Sequence, residues 1–252
     1  MDLDLAGMVA MVTGASRGLG RAISVALADE GCALAIVARR SEPLRELADE
    51  LEAAGHNRPT IIAEDVTDDR AAERISEQAL AAHRRVDIPV NNAGGSRPLT
   101  GLGTRDEWDE AMNLDFHAGR ELAHTLVPGM RTRKFGRIIN VTGGDEPSAV
   151  NAGVPPNGAV HLWSKALSRE VAHDGVTVNC LPPGRLHSDQ VDQRLLPDAK
   201  SRAAWIRDNI PAGYIGEPAD FAPLVAFLAS PRARYITGQV IHIDGGARRY
   251  AH

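Results

Sequence analysis

The glycine-rich segment near the N-terminus limits most strongly what this chain can fold into. Residues 9–13 form a short apolar run that favours a β-strand, and glycines follow at positions 14, 18 and 20. A helical run from about Leu19 to Glu30 comes next. A strand that turns through glycines into a helix brings backbone N–H groups and the positive end of the helix dipole together. The segment therefore predicts a binding site for a pyrophosphate.

Strand-like and helical runs alternate along the rest of the chain. The pattern predicts further strands at 33–38, 60–63, 88–91, 137–141, 177–181 and 239–243. It predicts further helices at 43–54, 70–83, 108–133, 159–173 and 219–228. Alternation of this kind, with strands that are apolar on both faces, is typical of a parallel sheet covered by helices on each side. Because no change of composition marks a boundary, we expect a single α/β domain over residues 1–252.

Composition and charge exclude several classes of protein. The formal net charge of the 252 residues is -5, whereas a domain that binds nucleic acid is usually basic. The apolar runs fall far short of the ~20 residues that span a bilayer, and no basic segment precedes the first apolar stretch, as it would in a signal peptide. We therefore expect a cytoplasmic protein that binds neither nucleic acid nor membrane. Cys32 and Cys180 lie in strand-like runs, which favours buried, reduced thiols over a metal site.

Several short motifs occur in an order that resembles the short-chain dehydrogenase/reductase family over essentially the whole chain. They are the glycine turn at 14–20, Asp65-Val66, Asn91-Asn92-Ala93-Gly94, Asn113, Pro183-Gly184 and Asp244-Gly245-Gly246. The resemblance implies a Rossmann-type doubly wound sheet of about seven strands, a nicotinamide dinucleotide cofactor, and a homotetramer or homodimer. It also makes the segment of about 185–215 a lid over a small-molecule substrate. Arginines on that segment either bind a substrate carboxylate or lie in solvent, and we expect the second.

The family motifs and the basic residues predict the cofactor contacts. The expected residues are Gly14, Ser16, Arg17, Gly18, Leu19, Gly20, Arg39, Arg40, Asp65, Val66, Asn92, Ala93, Gly94, Lys165, Pro183, Gly184, Leu186 and Ser188. Ala38 occupies the position at which a carboxylate would bind the ribose 2′-hydroxyl of NAD. Since guanidinium groups bind phosphate in a bidentate manner, Arg17 and Arg39, with Arg40 as a weaker helper, predict a preference for NADP over NAD.

The catalytic positions depart from the family pattern. In the family a serine, a tyrosine and a lysine act together with an asparagine, and the tyrosine and lysine lie four residues apart on one helix. Here Lys165 matches the lysine, which puts His161 at the tyrosine position and Gly143 at the serine position, while Asn113 matches the asparagine. Thr142 replaces the serine only if the strand end bends. The segment between 143 and 161 is longer than usual, and it offers Asp145, Glu146, Ser148, Asn151 and Asn157 as further cleft residues.

Two functions follow from these positions. The first is an NADP-dependent oxidoreductase that moves a hydride between the nicotinamide and a carbonyl or secondary alcohol. In it His161 transfers the proton, Lys165 holds the ribose, Asn113 orders a water relay, and Thr142 or Ser148 binds the substrate oxygen. The second is a catalytically impaired NADP-binding sensor or partner subunit, in which His161 only fills the space of the tyrosine. A dehydratase or lyase on the same fold is a third possibility. No motif predicts a metal site.

Overall fold

The protein contains one parallel β-sheet. The computed structural model describes residues 1–146, 149–188 and 191–250, and of Arg194 the backbone only. The strands are β1 (Val9–Thr13), β2 (Ala33–Ala38), β3 (Thr60–Ala63), β4 (Ile88–Asn91), β5 (Gly136–Val141) and β6 (Val176–Leu181). All neighbouring strands pair in parallel, in the order β3-β2-β1-β4-β5-β6. The predicted doubly wound Rossmann-type sheet is therefore confirmed.

Helices cover both faces of the sheet. They are α1 (Gly18–Asp29), α2 (Ser41–Ala53), α3 (Ala71–His83), α4 (Arg105–Met112), α5 (Ala118–Arg133), α6 (Val154–Val171), α7 (Ala199–Asn209) and α8 (Pro218–Ala229). Within the residues that the structure describes, no helix combines the length and the apolar composition that a bilayer crossing needs.

Two apolar clusters form the core, one on each face of the sheet. Successive side chains of a strand point to opposite faces, and in β1 Met11 belongs to one cluster and Val12 to the other. On one face Val12 packs with residues of α1, α2 and α8, among them the fully buried Phe221. On the other face Met11 packs with residues of α3, α5 and α6. Since all five residues of β1 are buried, this strand carries the centre of the sheet. Cys32 and Cys180 are buried free thiols, as predicted.

The structure differs from the sequence prediction in several elements, among them helix α7, which was not predicted. Segment 239–243 runs parallel to β6 through isolated bridges at Val240 and Ile243, so the seventh strand is only partly formed. The predicted helix 108–133 is divided by a π-helical turn at Asn113–His117. Helix α6 begins at Val154, five residues before the predicted start, because prolines occupy its first turn. A missing N–H has no cost at that point of a helix.

The strand order determines where a ligand can bind. β1 lies between β2 and β4: the chain runs outward from β1 through β2 to β3, and then crosses back to β4 on the other side of β1. In an open parallel sheet this reversal leaves a crevice beyond the carboxyl ends of the strands. The glycine turn follows β1 and the Asn92-Ala93-Gly94 segment follows β4, so both motifs lie at this crevice.

Candidate active site

A large cleft opens at the carboxyl ends of the strands. Its volume is about 2120 Å³, whereas pockets for a single small ligand measure roughly 300–1,000 Å³. The walls come from the glycine turn after β1, the ends of β2 and β4, the first turn of α6 and the segment 185–215. The cleft is large enough for a dinucleotide together with a second, smaller molecule.

The glycine turn fits a pyrophosphate. Gly14 has a left-handed φ of 66°, and a Cβ there would lie 2.9 Å from Nδ2 of Asn92. A Cβ on Gly20 would lie 2.2 Å from the carbonyl oxygen of Gly14, so only glycine lets α1 pack this closely on the turn. Helix α1 then begins at Gly18 without a side-chain cap. The N–H groups of its first turn have no partner within the helix, and they can donate to a phosphate.

All the residues predicted to contact a cofactor line the cleft, with the exception of Lys165. They are Gly14, Ser16, Arg17, Gly18, Leu19, Gly20, Arg39, Arg40, Asp65, Val66, Asn92, Ala93, Gly94, Pro183, Gly184, Leu186 and Ser188. The structure therefore brings together residues that are up to 174 positions apart in the sequence. Their contact with a cofactor stays a prediction.

Two arginines, Arg39 and Arg40, follow the end of β2 and make this part of the cleft wall basic. Ala38, Arg39 and Arg40 line the cleft there. Nη1 of Arg39 lies 4.0 Å from Oδ2 of Asp65, and the Arg39 side chain is 77% exposed. The other oxygen of Asp65 accepts hydrogen bonds from the backbone N–H and the hydroxyl of Thr67. Because 4.0 Å is too long for a hydrogen bond, the Arg39 guanidinium can turn away from Asp65 and towards an anion in the cleft.

Thr142 presents a hydroxyl at the strand end, next to the predicted serine position. Strand β5 ends at Val141, so the alternation of side chains along the strand no longer applies to Thr142 or Gly143, and both residues line the cleft. Oγ1 of Thr142 lies 2.9 Å from Nε2 of His161. The hydroxyl thus lies at the cleft wall with an imidazole in direct contact.

His161 lies behind Thr142 and is not among the described residues that line the cleft. Its Nδ1 is 3.8 Å from Oδ2 of Asp145. Burial lowers the pKa of His161 below its ordinary value; Asp145 opposes this shift, and His242 and Arg248 add to it. The imidazole is therefore neutral at neutral pH. A neutral imidazole that contacts a hydroxyl can accept its proton or return it.

The first turn of α6, rather than its middle, meets the cleft. Gly153 and Asn157, which are four residues apart, line the cleft, whereas Lys165 does not. The Lys165 ammonium instead donates to the carbonyl oxygen of Gly238, at 3.2 Å. Eight helical residues correspond to about 12 Å along the axis, so Lys165 lies two turns beyond Asn157. The structure therefore does not bring Lys165 or His161 to the cleft wall, and their roles towards a ribose or a substrate stay predictions.

Asn157 joins two glycine backbones at the cleft wall. Its Oδ1 accepts the N–H of Gly143 at 2.9 Å, and its Nδ2 donates to the carbonyl oxygen of Gly153 at 2.8 Å. A Cβ on Gly143 would lie 2.6 Å from Nδ2 of Asn157. The amide of Asn157 therefore occupies the space that a side chain at position 143 would need. Asp145, Glu146 and Asn151 line the cleft as well, and Ser148 lies outside the described residues.

A buried carboxyl group, Asp115, faces the same cleft. Its Oδ1 accepts the N–H of Gly95 at 2.9 Å, while its Oδ2 is buried and has no hydrogen-bond partner among the described residues. Burial raises the pKa of Asp115 to about 6, and the Gly95 N–H and the Arg97 charge only partly offset this. Asn113, the predicted asparagine, also lines the cleft, but its Nδ2 donates to the carbonyl oxygen of Thr67 at 3.2 Å.

Comparison with known proteins identifies the family. A sequence model described as enoyl-(acyl carrier protein) reductase matches residues 14–248. The chain is 35% identical over 249 residues to the 3-oxoacyl-[acyl-carrier-protein] reductase FabG of Vibrio harveyi, which covers 97% of this chain and 98% of that protein. The chain belongs to the short-chain dehydrogenase/reductase family. Members of this family are NAD(P)-dependent oxidoreductases.

Solved structures of reductases have the same fold as this dehydrogenase/reductase. L-sorbose reductase of Gluconobacter frateurii, in complex with NADPH and L-sorbose, superposes with a TM-score of 0.94 at 29% identity and covers 99% of this chain and 100% of its own. A putative NAD(P)-dependent gluconate 5-dehydrogenase of Beutenbergia cavernae, with bound NADP, gives a TM-score of 0.90 at 33% identity and covers 98% of both chains.

Asp115 and Gly153 were missed as site residues of this dehydrogenase/reductase. Asp115 lies two residues after the asparagine that the motif suggested, and no periodicity in the sequence distinguishes the two positions. A usable signal existed for Gly153. The interval from the serine position, 143, to the tyrosine position is unusually long if it ends at His161. It is not if the cleft-facing pair is Gly153 and Asn157, two helical turns earlier.

Asp115→Asn is expected to stabilise the protein at pH 7 by about 1–3 kcal/mol, because the shift of about two pKa units is then removed. An unfolded aspartate titrates near pH ~3.9, whereas the folded one titrates at about 6. Between these values the folded state binds more protons, so the stability of the wild type falls as pH rises. The advantage of the variant should therefore grow between pH 4 and pH 6 in urea unfolding. Asp109→Asn, at an exposed position of α4, is the control. If the difference in unfolding free energy between the wild type and Asp115→Asn does not change with pH, the raised pKa of Asp115 is contradicted.

Proposed function

We propose that the protein is an NADP-dependent oxidoreductase that acts on a small carbonyl compound or secondary alcohol. The observation that carries this proposal is the continuous cleft from the glycine turn to the segment 185–215, with the Thr142 hydroxyl at its wall. When bound, the nicotinamide supplies or accepts the hydride. The protein holds the dinucleotide, orients the substrate oxygen and moves one proton.

The proton path in this proposal runs through Thr142 to His161. The Thr142 hydroxyl binds the substrate oxygen, and the imidazole, at 2.9 Å from that hydroxyl, accepts or returns the proton. Asp145 attracts positive charge at Nδ1 from 3.8 Å and so favours the imidazolium that forms transiently. This assignment keeps His161 as the altered proton-transfer residue, but it acts through Thr142 and does not contact the substrate.

We infer that Gly153 and Asn157 occupy the positions of the family's tyrosine and lysine. The two residues are four apart and line the cleft on the first turn of α6. Neither side chain can transfer a proton, and the Asn157 amide is already bonded on both sides. This observation favours the second function, a sensor or partner subunit that binds NADP without turnover. Steady-state turnover of a carbonyl compound distinguishes the two functions.

We also propose that NADP is preferred over NAD. Ala38 provides no carboxylate for a ribose hydroxyl, and Arg39 and Arg40 line the cleft beside it. The guanidinium of Arg39 is held only weakly, at 4.0 Å from Asp65. It is therefore available for a 2′-phosphate, with which it would form a charge-assisted bond.

The preference predicts the effect of a substitution at Arg39. NADPH should bind the wild type more tightly than NADH, and Arg39→Ala should raise the Kd of NADPH about tenfold or more, since a hydrogen bond to a charged group contributes roughly 1.5–3 kcal/mol. The Kd of NADH should change little. Fluorescence titration measures both values, with Arg45→Ala on α2 as the control. Equal losses for the two cofactors would contradict a 2′-phosphate contact.

The proton path predicts a loss of turnover for two substitutions and no effect for a third. Thr142→Val and His161→Phe should each lower kcat about 10²–10⁴-fold, the usual contribution of acid–base catalysis, with little change in the Kd of NADPH. Lys165→Ala should leave both quantities unchanged, because its ammonium bonds to Gly238 away from the cleft. Loss of turnover in Lys165→Ala would overturn the placement of the site. Tight NADPH binding by a wild type that turns over no carbonyl compound would favour the sensor.

The family resemblance further leads us to propose a homotetramer or homodimer. Leu162 on α6 is 77% exposed in the isolated chain, which is costly for a leucine in water. Packing of α6 against a second copy would bury it. Sedimentation velocity should therefore give a species of at least two chains, and Leu162→Glu should shift it towards the monomer. A wild type that sediments only as a monomer would disprove the oligomer.

A further inference from the structure

Arg185 is a partly buried cation without an anionic partner among the residues that the structure describes. It follows Pro183-Gly184 directly and lines the cleft where the segment 185–215 begins. Its guanidinium carbon lies 5.3 Å from the centre of the Trp205 ring. Among the described residues, no side chain or backbone carbonyl forms an ion pair or hydrogen bond with this guanidinium. Burial lowers the pKa of Arg185 below its ordinary value, and no charge of the described part of the chain offsets this shift.

The other buried or partly buried arginines among the described residues have the partners that Arg185 lacks. Arg137, the most deeply buried one, donates to the carbonyl oxygens of three residues: Gly136, Gly175 and Ser230. Arg97 pairs with Glu110 at 3.1 Å, and Arg248 pairs with Asp145 and Glu146. A charge that is partly removed from water without a partner is unfavourable. The exception at Arg185 is therefore a signal for an anion that comes from outside the chain.

Two carboxylates that share a cavity with Arg185 do not neutralise it. Asp220 and Asp244 line a small adjoining cavity together with Arg185. Oδ2 of Asp220 accepts the N–H of Glu217 at 2.8 Å. The two oxygens of Asp244 accept the N–H groups of Gly246 and Arg248 at 2.9 and 2.8 Å. Both carboxylates are thus used in turns of the backbone, and neither lies within 4.0 Å of the guanidinium.

The surroundings of Arg185 restrict what the anion can be. The Nε1 atom of Trp205 is buried and has no hydrogen-bond partner among the described residues, so the ring that stacks on Arg185 carries a second unsatisfied donor. Val191, Leu195 and Ile210 add apolar wall to the same part of the cleft. The family resemblance implies that Leu186, the next residue, lies beside the nicotinamide carboxamide. Arg185 therefore belongs to the substrate end of the cleft, whereas Arg39 and Arg40 belong to the opposite end.

We propose that Arg185, supported by Trp205, binds an oxyanion of the substrate, so that the substrate is a carbonyl or hydroxy compound that carries a carboxylate or phosphate group. This inference rests on the proposed function and adds the chemical class of the substrate. Arginine suits the role because its planar fork matches two oxygens of a carboxylate or phosphate. Stacking on the Trp205 ring fixes the plane of the fork.

Matched acid and neutral ketones test the inference without turnover. The protein is loaded with NADP⁺, so that no hydride is available to a ketone, and is titrated by calorimetry. Levulinate is compared with methyl levulinate, and dihydroxyacetone phosphate with dihydroxyacetone. We expect at least one anion to bind about tenfold or more tightly than its neutral partner, and to lose part of that advantage at high salt. The pair that shows the advantage tells whether the oxyanion is a carboxylate or a phosphate.

Substitutions at Arg185 locate the effect. Arg185→Met keeps the apolar stem and should abolish the difference between anion and neutral ketone. Arg185→Lys keeps a positive charge without the planar guanidinium, and it should retain part of the difference in affinity between anion and neutral ketone. Arg207→Gln is the control, because Arg207 is an exposed arginine of α7 that pairs with Asp208. This variant should retain the whole difference in affinity between anion and neutral ketone. Circular dichroism of each variant checks that the fold is unchanged.

The possible failures are distinguishable. If NADP⁺ itself does not bind, the proposed function is wrong. If NADP⁺ binds normally but each anion binds the wild type no better than its neutral partner, the oxyanion subsite alone is wrong. An advantage that persists in Arg185→Met would likewise overturn it, because another group would then be responsible. These comparisons within the wild type remain valid if Arg185→Met fails to fold.

Discussion

The hydrogen bonds between Thr13 and Asn92 hold the site together. The Thr13 hydroxyl accepts the N–H groups of Asn92 and Ala93, each at 3.0 Å, and Nδ2 of Asn92 donates to the carbonyl oxygen of Thr13 at 2.9 Å. These bonds join the ends of β1 and β4, the two strands at which the sheet reverses its order. They also place the Asn92 amide 2.9 Å from where a Cβ on Gly14 would be. The phosphate-binding turn and the floor of the cleft are thereby fixed relative to each other.

Much of the fold and of the cofactor end of the site could be predicted from the sequence, because the determinants there are local. A glycine turn between an apolar strand and a helix has few alternatives, since a side chain at Gly14 or Gly20 would clash. Alternating strands and helices then require the crevice at the carboxyl ends. The residues of the turn and those after β4 consequently meet in the cleft as expected.

The position of α6 relative to the cleft could not be predicted in the same way. A separation of four residues shows that two side chains share a helical face, but it does not show which turn of the helix meets the cleft. His161 with Lys165 and Gly153 with Asn157 satisfy the same spacing. Only the residue at which the helix begins distinguishes the two pairs. Pro155 and Pro156 did not reveal it, because prolines are common both in a turn before a helix and in the first turn of a helix. Asp115 was hidden by the π-helical turn, which departs from the 3.6-residue period on which such predictions rest.

The departures from the family pattern depend on one another. An added Cβ at Gly143 would lie 2.6 Å from the Asn157 amide, and that amide also holds the carbonyl oxygen of Gly153. A serine at 143 would require Asn157 to move, and any movement of Asn157 would leave the N–H of Gly143 without its partner. On the assignment proposed above, three positions where the family pattern calls for polar, reactive side chains form a single hydrogen-bonded unit without a titratable group. The contact between the Thr142 hydroxyl and the His161 imidazole, at 2.9 Å, uses none of the atoms that hold this unit together. On the proposed assignment, the chain lacks the usual proton donor but retains a hydroxyl at the cleft wall, with the His161 imidazole in contact behind it.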